Sequence, residues 1–234
     1  MKKLNHYHEI VFTIQFLKDV TFDEVQSGIA ELINRSMLLD EELKNFHHQR
    51  GYKLYCFSAP YPLEQDKIYR EGRMYCFNLR TMHLNFALKI KQYLSKTHGI
   101  AKVISSDLKN YSFKHINELI TLTPIVCTLN NRCWLHNDGI ALLSERLHLN
   151  AYKKCKSLDD SFEETAEFFF DRIEILNKVA IKIKYKGKNT ILLGHKIKLS
   201  VKPQPWAQQM ANIVLASGAL EKNSLGLGYC LARR

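Results

Sequence analysis

His6-Tyr-His-Glu-Ile-Val-Phe-Thr-Ile-Gln-Phe16 puts Ile10, Phe12, Ile14 and Phe16 on one side of an extended chain and Glu9, Thr13 and Gln15 on the other. A period of two is that of a half-buried strand. Thr21-Phe-Asp-Glu24 then has the form of a capping box, and Phe22, Val25, Ile29, Leu32, Ile33 and Ser36 recur at helical spacing, so a helix follows the strand and ends near Arg35. The acidic linker Asp40, Glu41, Glu42 and the polar turn Phe46-His47-His48-Gln49-Arg50-Gly51 lead into a strand from Tyr52 to Ser58. Pro60, Pro62 and Gly72 bracket a long hairpin connection to a strand from Arg73 to Arg80. Leu84, Phe86, Leu88, Ile90, Tyr93 and Leu94 predict a second helix, and Ile100 to Leu108 a short fourth strand. The order β-α-β-β-α-β is that of a ferredoxin-like domain, the scaffold RNA-recognition modules also use, over residues 1–110. The aromatic RNP signature of those modules is absent, so fold alone does not assign RNA binding.

The second half, residues 111–234, repeats the theme less regularly. Ile140 to Cys155 has helical period, with Ile140, Leu143, Leu147 and Ala151 on one face, and a polar helical piece is expected around Ser161 to Glu167. Ile181, Ile183 and Tyr185 alternate with Lys182, Lys184 and Lys186; Gly187-Lys-Asn189 makes a turn; Ile197, Leu199 and Val201 then alternate with Lys196, Lys198, Ser200 and Lys202. Pro205 suits the first turn of a helix that carries Trp206, Met210, Ile213 and Val214, and Gly218 suits its end. The fold class is therefore α+β, with two tandem ferredoxin-like (RRM-like) domains.

Composition limits what such a chain does. Its 234 residues, 46% hydrophobic, fill one large or two small cores. Apolar runs long enough to span a bilayer are absent, and the polar residues after Met1-Lys-Lys do not form a signal peptide, so a cytoplasmic location and no membrane partner are expected. Six dispersed cysteines without a C-x-x-C pair read as free buried thiols. Cys133-Trp-Leu-His136 has metal-like spacing, but with only Cys127 nearby no metal site is expected. The formal charge is +11, of which +8 falls between Lys178 and Lys202, where eight lysines occur without an acid. Two strands with lysines on one face make a basic ribbon, and so dense a surplus points to nucleic-acid backbone rather than to an edge kept soluble by charge.

Between the last helix and the last strand lies Gly218-Ala-Leu-Glu-Lys-Asn-Ser-Leu-Gly226-Leu-Gly228-Tyr229. By itself it fits either a phosphate-approaching loop or a helix cap followed by a turn. Glu221-Lys-Asn-Ser-Leu-Gly-Leu-Gly228 closely resembles the glycine-rich loop of the CRISPR-associated endoribonucleases that cut precursor CRISPR RNA within each repeat, members of the RAMP superfamily. Weaker matches are His47 followed by Gly51-Tyr-Lys-Leu-Tyr-Cys-Phe-Ser58, and Thr121-Leu-Thr-Pro-Ile125, so the resemblance spans essentially the whole chain.

The resemblance implies cofactor-free, metal-independent cleavage of repeat RNA, in which the 2′-hydroxyl attacks the scissile phosphate to leave a 2′,3′-cyclic phosphate and a 5′-hydroxyl. It assigns the acid–base role to His47, with His48 one residue away as its substitute, and charge stabilisation to Lys53. Gly218, Lys222, Asn223, Ser224, Gly226 and Gly228 would position the RNA backbone, assisted by Lys182, Lys184, Lys196 and Lys198. Two departures stand out. Family members often carry a tyrosine on the first helix, where this chain has Glu31 or Leu32, and a G-x-G before the Glu-Lys-Asn, where it has Gly218-Ala-Leu. The alternative is a repeat-RNA-binding subunit of a CRISPR interference complex that does not cut. Other subunits of such a complex, or a second copy in a homodimer, are the further partners left open.

Overall fold

The computed structural model describes residues 5–185 and 190–234. The first half runs β1 (His6–Phe16), β2 (Val20–Thr21), α1 (Phe22–Met37), α2 (Glu41–His48), β3 (Tyr55–Phe57), β4 (Ile68–Tyr69), β5 (Met74–Thr81), α3 (Leu84–Leu94) and β6 (Ala101–Ser112). Its sheet has the order β3-β5-β1-β6, the 2-3-1-4 order of a ferredoxin-like fold, with β2 and β4 paired to one side. Ile10, Phe12, Ile14 and Phe16 are fully buried, as their alternation requires, and pack against Val25, Ile29, Leu32 and Ile33 of α1 and Phe86 and Ile90 of α3.

The second half runs β7 (Glu118–Thr121), β8 (Thr128–Leu129), β9 (Arg132–Cys133), α4 (Ile140–Leu158), β10 (Phe170–Ile175), β11 (Ile181–Tyr185), β12 (Thr190–Gly194), β13 (Ile197–Val201), α5 (Pro205–Ser217) and β14 (Cys230–Arg233). Its main sheet, β10-β13-β7-β14, has the same 2-3-1-4 order. The chain is thus two tandem ferredoxin-like folds. The irregularity of the second comes from two inserted hairpins, β8-β9 and β11-β12.

Several local expectations are corrected. The stretch expected as acidic linker and polar turn is the helix α2: the Asp40 side chain accepts from the Leu43 N–H at 3.0 Å, and Lys89 holds Asp40 and Glu42 at 2.8 and 2.9 Å. Thr21 caps no backbone N–H; its hydroxyl instead donates to the carboxylates of Asp23 (2.6 Å) and Glu24 (2.9 Å). No helix forms around residues 161–167, because the Asp159 carboxylate takes the Ser161 N–H and hydroxyl and turns the chain. The fourth strand continues to Ser112, paired along nearly its whole length with β1. Of the six thiols, Cys56, Cys127, Cys155 and Cys230 are buried, Cys133 is half-buried and Cys76 is exposed.

The basic ribbon also needs correction. β11 pairs with β12, not with β13, which carries Lys198 and begins one residue after Lys196, and β13 lies inside the main sheet between β10 and β7. The lysines therefore divide between two sheets, and the expected turn Gly187-Lys-Asn189 lies outside the described residues. Alternation reports which face a side chain takes but not which strand lies beside it. Acids from distant parts of the sequence answer part of the charge: Lys184 meets Asp23 of α1 at 2.6 Å, Lys198 meets Glu174 at 3.0 Å, and Lys202 meets Glu167 at 2.7 Å.

The two halves join through a buried ionic contact on the β5 face of the first sheet. The Arg80 guanidinium pairs with Glu9, donates to the carbonyls of Cys230 (2.7 Å) and Leu215 (3.3 Å), and lies 4.4 Å from the Tyr229 ring centroid. That seats β14 and the end of α5 against β1 and β5. The loop between α5 and β14 is thereby brought onto β3.

Candidate functional site

The segment after α2 and the loop before β14 face each other across a cleft of about 440 Å³ lined by Gly51 to Tyr55, by Asn150 and Lys154 of α4, and by Leu220 to Ser224. Lys53 and the glycine-rich loop, distant in sequence, are neighbours here. Backbone strain concentrates at the same place. Among the described residues six non-glycine positions have positive φ, and three of them, Leu54 (50°), Leu220 (56°) and Lys222 (60°), line the cleft. Each such conformation costs about 1–3 kcal/mol and persists only where surrounding contacts enforce it.

The glycines of the loop serve its packing. Gly226 has φ 76°, and a Cβ there would stand 2.3 Å from Gln26 Nε2 of α1 and 2.5 Å from the Phe57 ring of β3. Gln26 Nε2 in turn donates to the Gly226 carbonyl at 2.8 Å. At Gly228 (φ 71°) a Cβ would lie 2.1 Å from the Ala219 carbonyl oxygen, across the contact in which Ala219 N–H donates to Gly228 O at 2.8 Å. The loop is pressed inward on α1 and β3, and no side chain fits between. Gly218, which ends α5, is likewise closed in by Asn223 and Cys56.

Asn223 is also occupied within the loop. Its amide nitrogen donates to the carbonyls of Ala219 (3.1 Å) and Leu227 (2.9 Å), and its amide oxygen accepts from Lys154 Nζ at 2.7 Å. Lys154 is the residue that sequence reasoning missed. It is 1% exposed, and its ammonium also donates to the carbonyls of Gly218 (2.6 Å) and Leu220 (3.1 Å). Burial lowers its pKa to about 8, the neighbouring Cys56, Cys230 and Cys155 pulling the other way. In sequence it is one of two adjacent lysines on an amphipathic helix, and only tertiary structure places it inside. The loop thus leaves Lys222 exposed, and Glu221 and Ser224 half-buried, on the cleft side.

Lys53 caps the C-terminal end of α2. Its ammonium donates to the carbonyls of Phe46, His47 (3.1 Å) and Gln49 (2.5 Å), satisfying acceptors that a helix end leaves free. Burial lowers its pKa. His47, half-buried in the last turn, is tied to the cleft through this lysine; its ring and that of exposed His48 lie 5.5 Å apart. Burial, then His48, then the Lys53 charge lower the His47 pKa below its usual 6.5, so its imidazole is neutral at pH 7. Neither histidine lines the cleft itself. Of the two residues that stand where the resembling proteins often have tyrosine, Glu31 pairs with Arg35 at 2.6 Å on the surface of α1 and Leu32 is buried in the core. Of the ribbon lysines, Lys182 and Lys184 project from β11, which packs against α1; Lys198 belongs to the main sheet, and Lys196 lies in the connection just before β13.

Tyr52 is a second residue that the sequence did not single out. It is 38% exposed in the cleft wall, and burial followed by the charge of Glu221 raises its hydroxyl pKa. The Glu221 carboxylate itself accepts from Thr128 Oγ1 (2.7 Å) and from the Thr128 N–H (3.3 Å), which fixes its direction.

No family model matches the chain. It is 26% identical over 226 residues, covering 91% of this chain and 94% of the relative, to the CRISPR-associated endoribonuclease Cas6 2 of Methanocaldococcus jannaschii. Among solved structures, a CRISPR associated protein Cas6 superposes with a TM-score of 0.71 at 16% identity, covering 97% of this chain and 100% of that one. A RAMP protein binding different RNA substrates superposes at 0.70 with 18% identity, covering 97% and 100%. The product of a Cas6-related gene from Pyrococcus furiosus superposes at 0.66 with 17% identity, covering 98% and 99%. The chain is thus similar in sequence along most of its length to a CRISPR-associated endoribonuclease, and it shares its tandem fold over nearly all of its length with Cas6 and RAMP structures.

Proposed function

We propose that this protein is an endoribonuclease that processes CRISPR repeat RNA without a metal ion. The observation that carries the proposal is the cleft in which the Lys53 segment and the glycine-rich loop meet, under strain, at the joint of the two folds. The endoribonuclease name of the Methanocaldococcus relative supports the reaction class.

His47, neutral at pH 7, takes the proton of the 2′-hydroxyl. The 2′-oxygen bonds to phosphorus and the bond from phosphorus to the 5′-oxygen breaks. The departing 5′-oxygen receives a proton, which leaves a 2′,3′-cyclic phosphate and a 5′-hydroxyl. Lys53 has two tasks: it holds the end of α2 that carries His47, and its charge stands at the cleft wall where the phosphorane gathers negative charge. Lys222 at the cleft and Lys182 and Lys184 on the β11-β12 hairpin hold the RNA backbone.

The competing reading, a subunit that holds repeat RNA without cutting it, draws on the commitment of the Lys53 ammonium to three carbonyls and on Glu31 or Leu32 in place of tyrosine. Incubation with repeat RNA in EDTA, alongside RNA carrying one 2′-deoxy nucleotide before the cut, separates the two. We expect cleavage of the all-ribose RNA only, lost in His47→Ala with binding retained. Tight binding with no cleavage between pH 6 and 9 would overturn the enzyme reading.

A further inference from the structure

The cleft contains groups that a phosphate does not call for. Glu221 is an anion, and its bonds to Thr128 use one lone pair on each carboxylate oxygen, leaving further acceptor capacity. On the α4 wall, one turn before Lys154, the Asn150 amide oxygen is buried with no hydrogen-bond partner among the described residues. A buried acceptor without a donor is costly and marks a place where a ligand completes the bonding. Tyr52 lines the same cleft, an aromatic ring close enough to Glu221 for the carboxylate to raise its pKa. An aromatic face beside unfilled acceptors suits a flat group that carries N–H donors on its edge. At about 440 Å³ the cleft falls within the range of small-ligand sites, about 300–1,000 Å³.

We propose that this cleft is a pocket for one unstacked nucleobase with an exocyclic amino group, stacked on Tyr52 and donating to Glu221 and Asn150. Adenine, cytosine and guanine carry such an amine; uracil does not, and its single edge donor, N3–H, is flanked by two carbonyl oxygens that the carboxylate repels. Single-stranded RNA is read in this way, with bases splayed onto aromatic rings and hydrogen-bonded at their edges. The pocket deepens the RNA-processing assignment and rests on it: Lys222 takes the backbone, while Glu221, the preceding residue, takes the base.

The test is a titration of the full-length protein with AMP, CMP, GMP and UMP, followed by backbone amide NMR. AMP, CMP and GMP should shift the amides of Tyr52, Thr128 and Glu221, with UMP binding about tenfold more weakly, since a hydrogen bond to a charged acceptor is lost. Glu221→Gln should erase the preference. Tyr52→Ala should weaken all four by about tenfold through loss of stacking, whereas Tyr52→Phe retains binding. Equal binding of UMP, a preference that survives Glu221→Gln, or shifts confined to other surfaces would overturn the pocket. Repeat-RNA binding and cleavage, measured on the same protein, separate the two claims. RNA cleavage without nucleotide binding in the cleft sinks the pocket alone; nucleotide binding with the stated preference but no RNA binding or cleavage sinks the processing assignment alone.

Discussion

Replacing Lys154 by methionine removes the ammonium that holds Gly218 O, Leu220 O and Asn223 Oδ1 at 2.6, 3.1 and 2.7 Å and leaves a side chain of similar length. Three buried acceptors then lose their donor, at about 1.5 kcal/mol each, or about 4.5 in all. Against this, the charge was held at a penalty. The Lys154 pKa is about 8, below the usual 10.5, which corresponds to about 3–4 kcal/mol at pH 7. The net destabilisation at pH 7 is therefore small, about 1 kcal/mol. The sign of the pH dependence follows from the depressed pKa: between 8 and 10.5 the unfolded state binds more protons, so the wild type gains stability as pH rises through that window. At pH 9 the penalty falls to about 2 kcal/mol, and the gap between wild type and Lys154→Met widens to about 2–3 kcal/mol. Urea denaturation of both proteins at pH 7 and pH 9 measures it. Taking the difference between the two proteins removes most of the contribution of thiols and tyrosines that titrate nearby. A gap that is unchanged, or narrows, at pH 9 would refute the picture of a buried charged lysine pinning the loop.

The remaining predictions concern the loop, the joint and the basic surface. Gly228→Ala places a Cβ against the Ala219 backbone, where main chain on both sides must move, and should cost more stability than Gly226→Ala, whose Cβ meets side chains only, the movable end of Gln26 and the edge of the Phe57 ring; equal midpoints in thermal melts would contradict this. Arg80→Leu leaves Glu9 buried without its partner at the joint and should destabilise by about 3–5 kcal/mol, read by denaturation. Lys182→Ala should flatten the salt dependence of RNA binding by about 0.7 in slope, while Lys198→Ala, whose ammonium already meets Glu174, changes it less; the opposite ranking would place the RNA on the main sheet. If His47 is the base, the cleavage rate falls on the acid side with a midpoint below 6.5, because burial and its cationic neighbours favour the neutral ring; a midpoint above 6.5 would assign the step to another group.

What the sequence determined by itself is the list of elements and their faces. The alternation from Ile10 to Phe16 and the helical spacing from Val25 to Ile33 are local periodicities enforced by one buried side, and the order they spell is the tandem fold. The resemblance of the Glu221 to Gly228 stretch was legible for a similar reason, since a tightly packed loop tolerates few residue types. Partnership was not legible. Whether the strand after Lys184 is 190–194 or 197–201, whether Lys53 faces solvent or caps a helix, and which acids answer Lys184 and Lys198 all depend on contacts between residues far apart in the chain. The same holds for the cleft. Tyr52, Asn150, Lys154 and Glu221 belong to three separate segments with no common period, and long-range contacts bring those segments together, among them Arg80 at the joint, Gln26 on Gly226 and Lys154 on the loop. Local propensity acts over a few residues, whereas burial of a charge or a glycine against another backbone is decided by the whole fold.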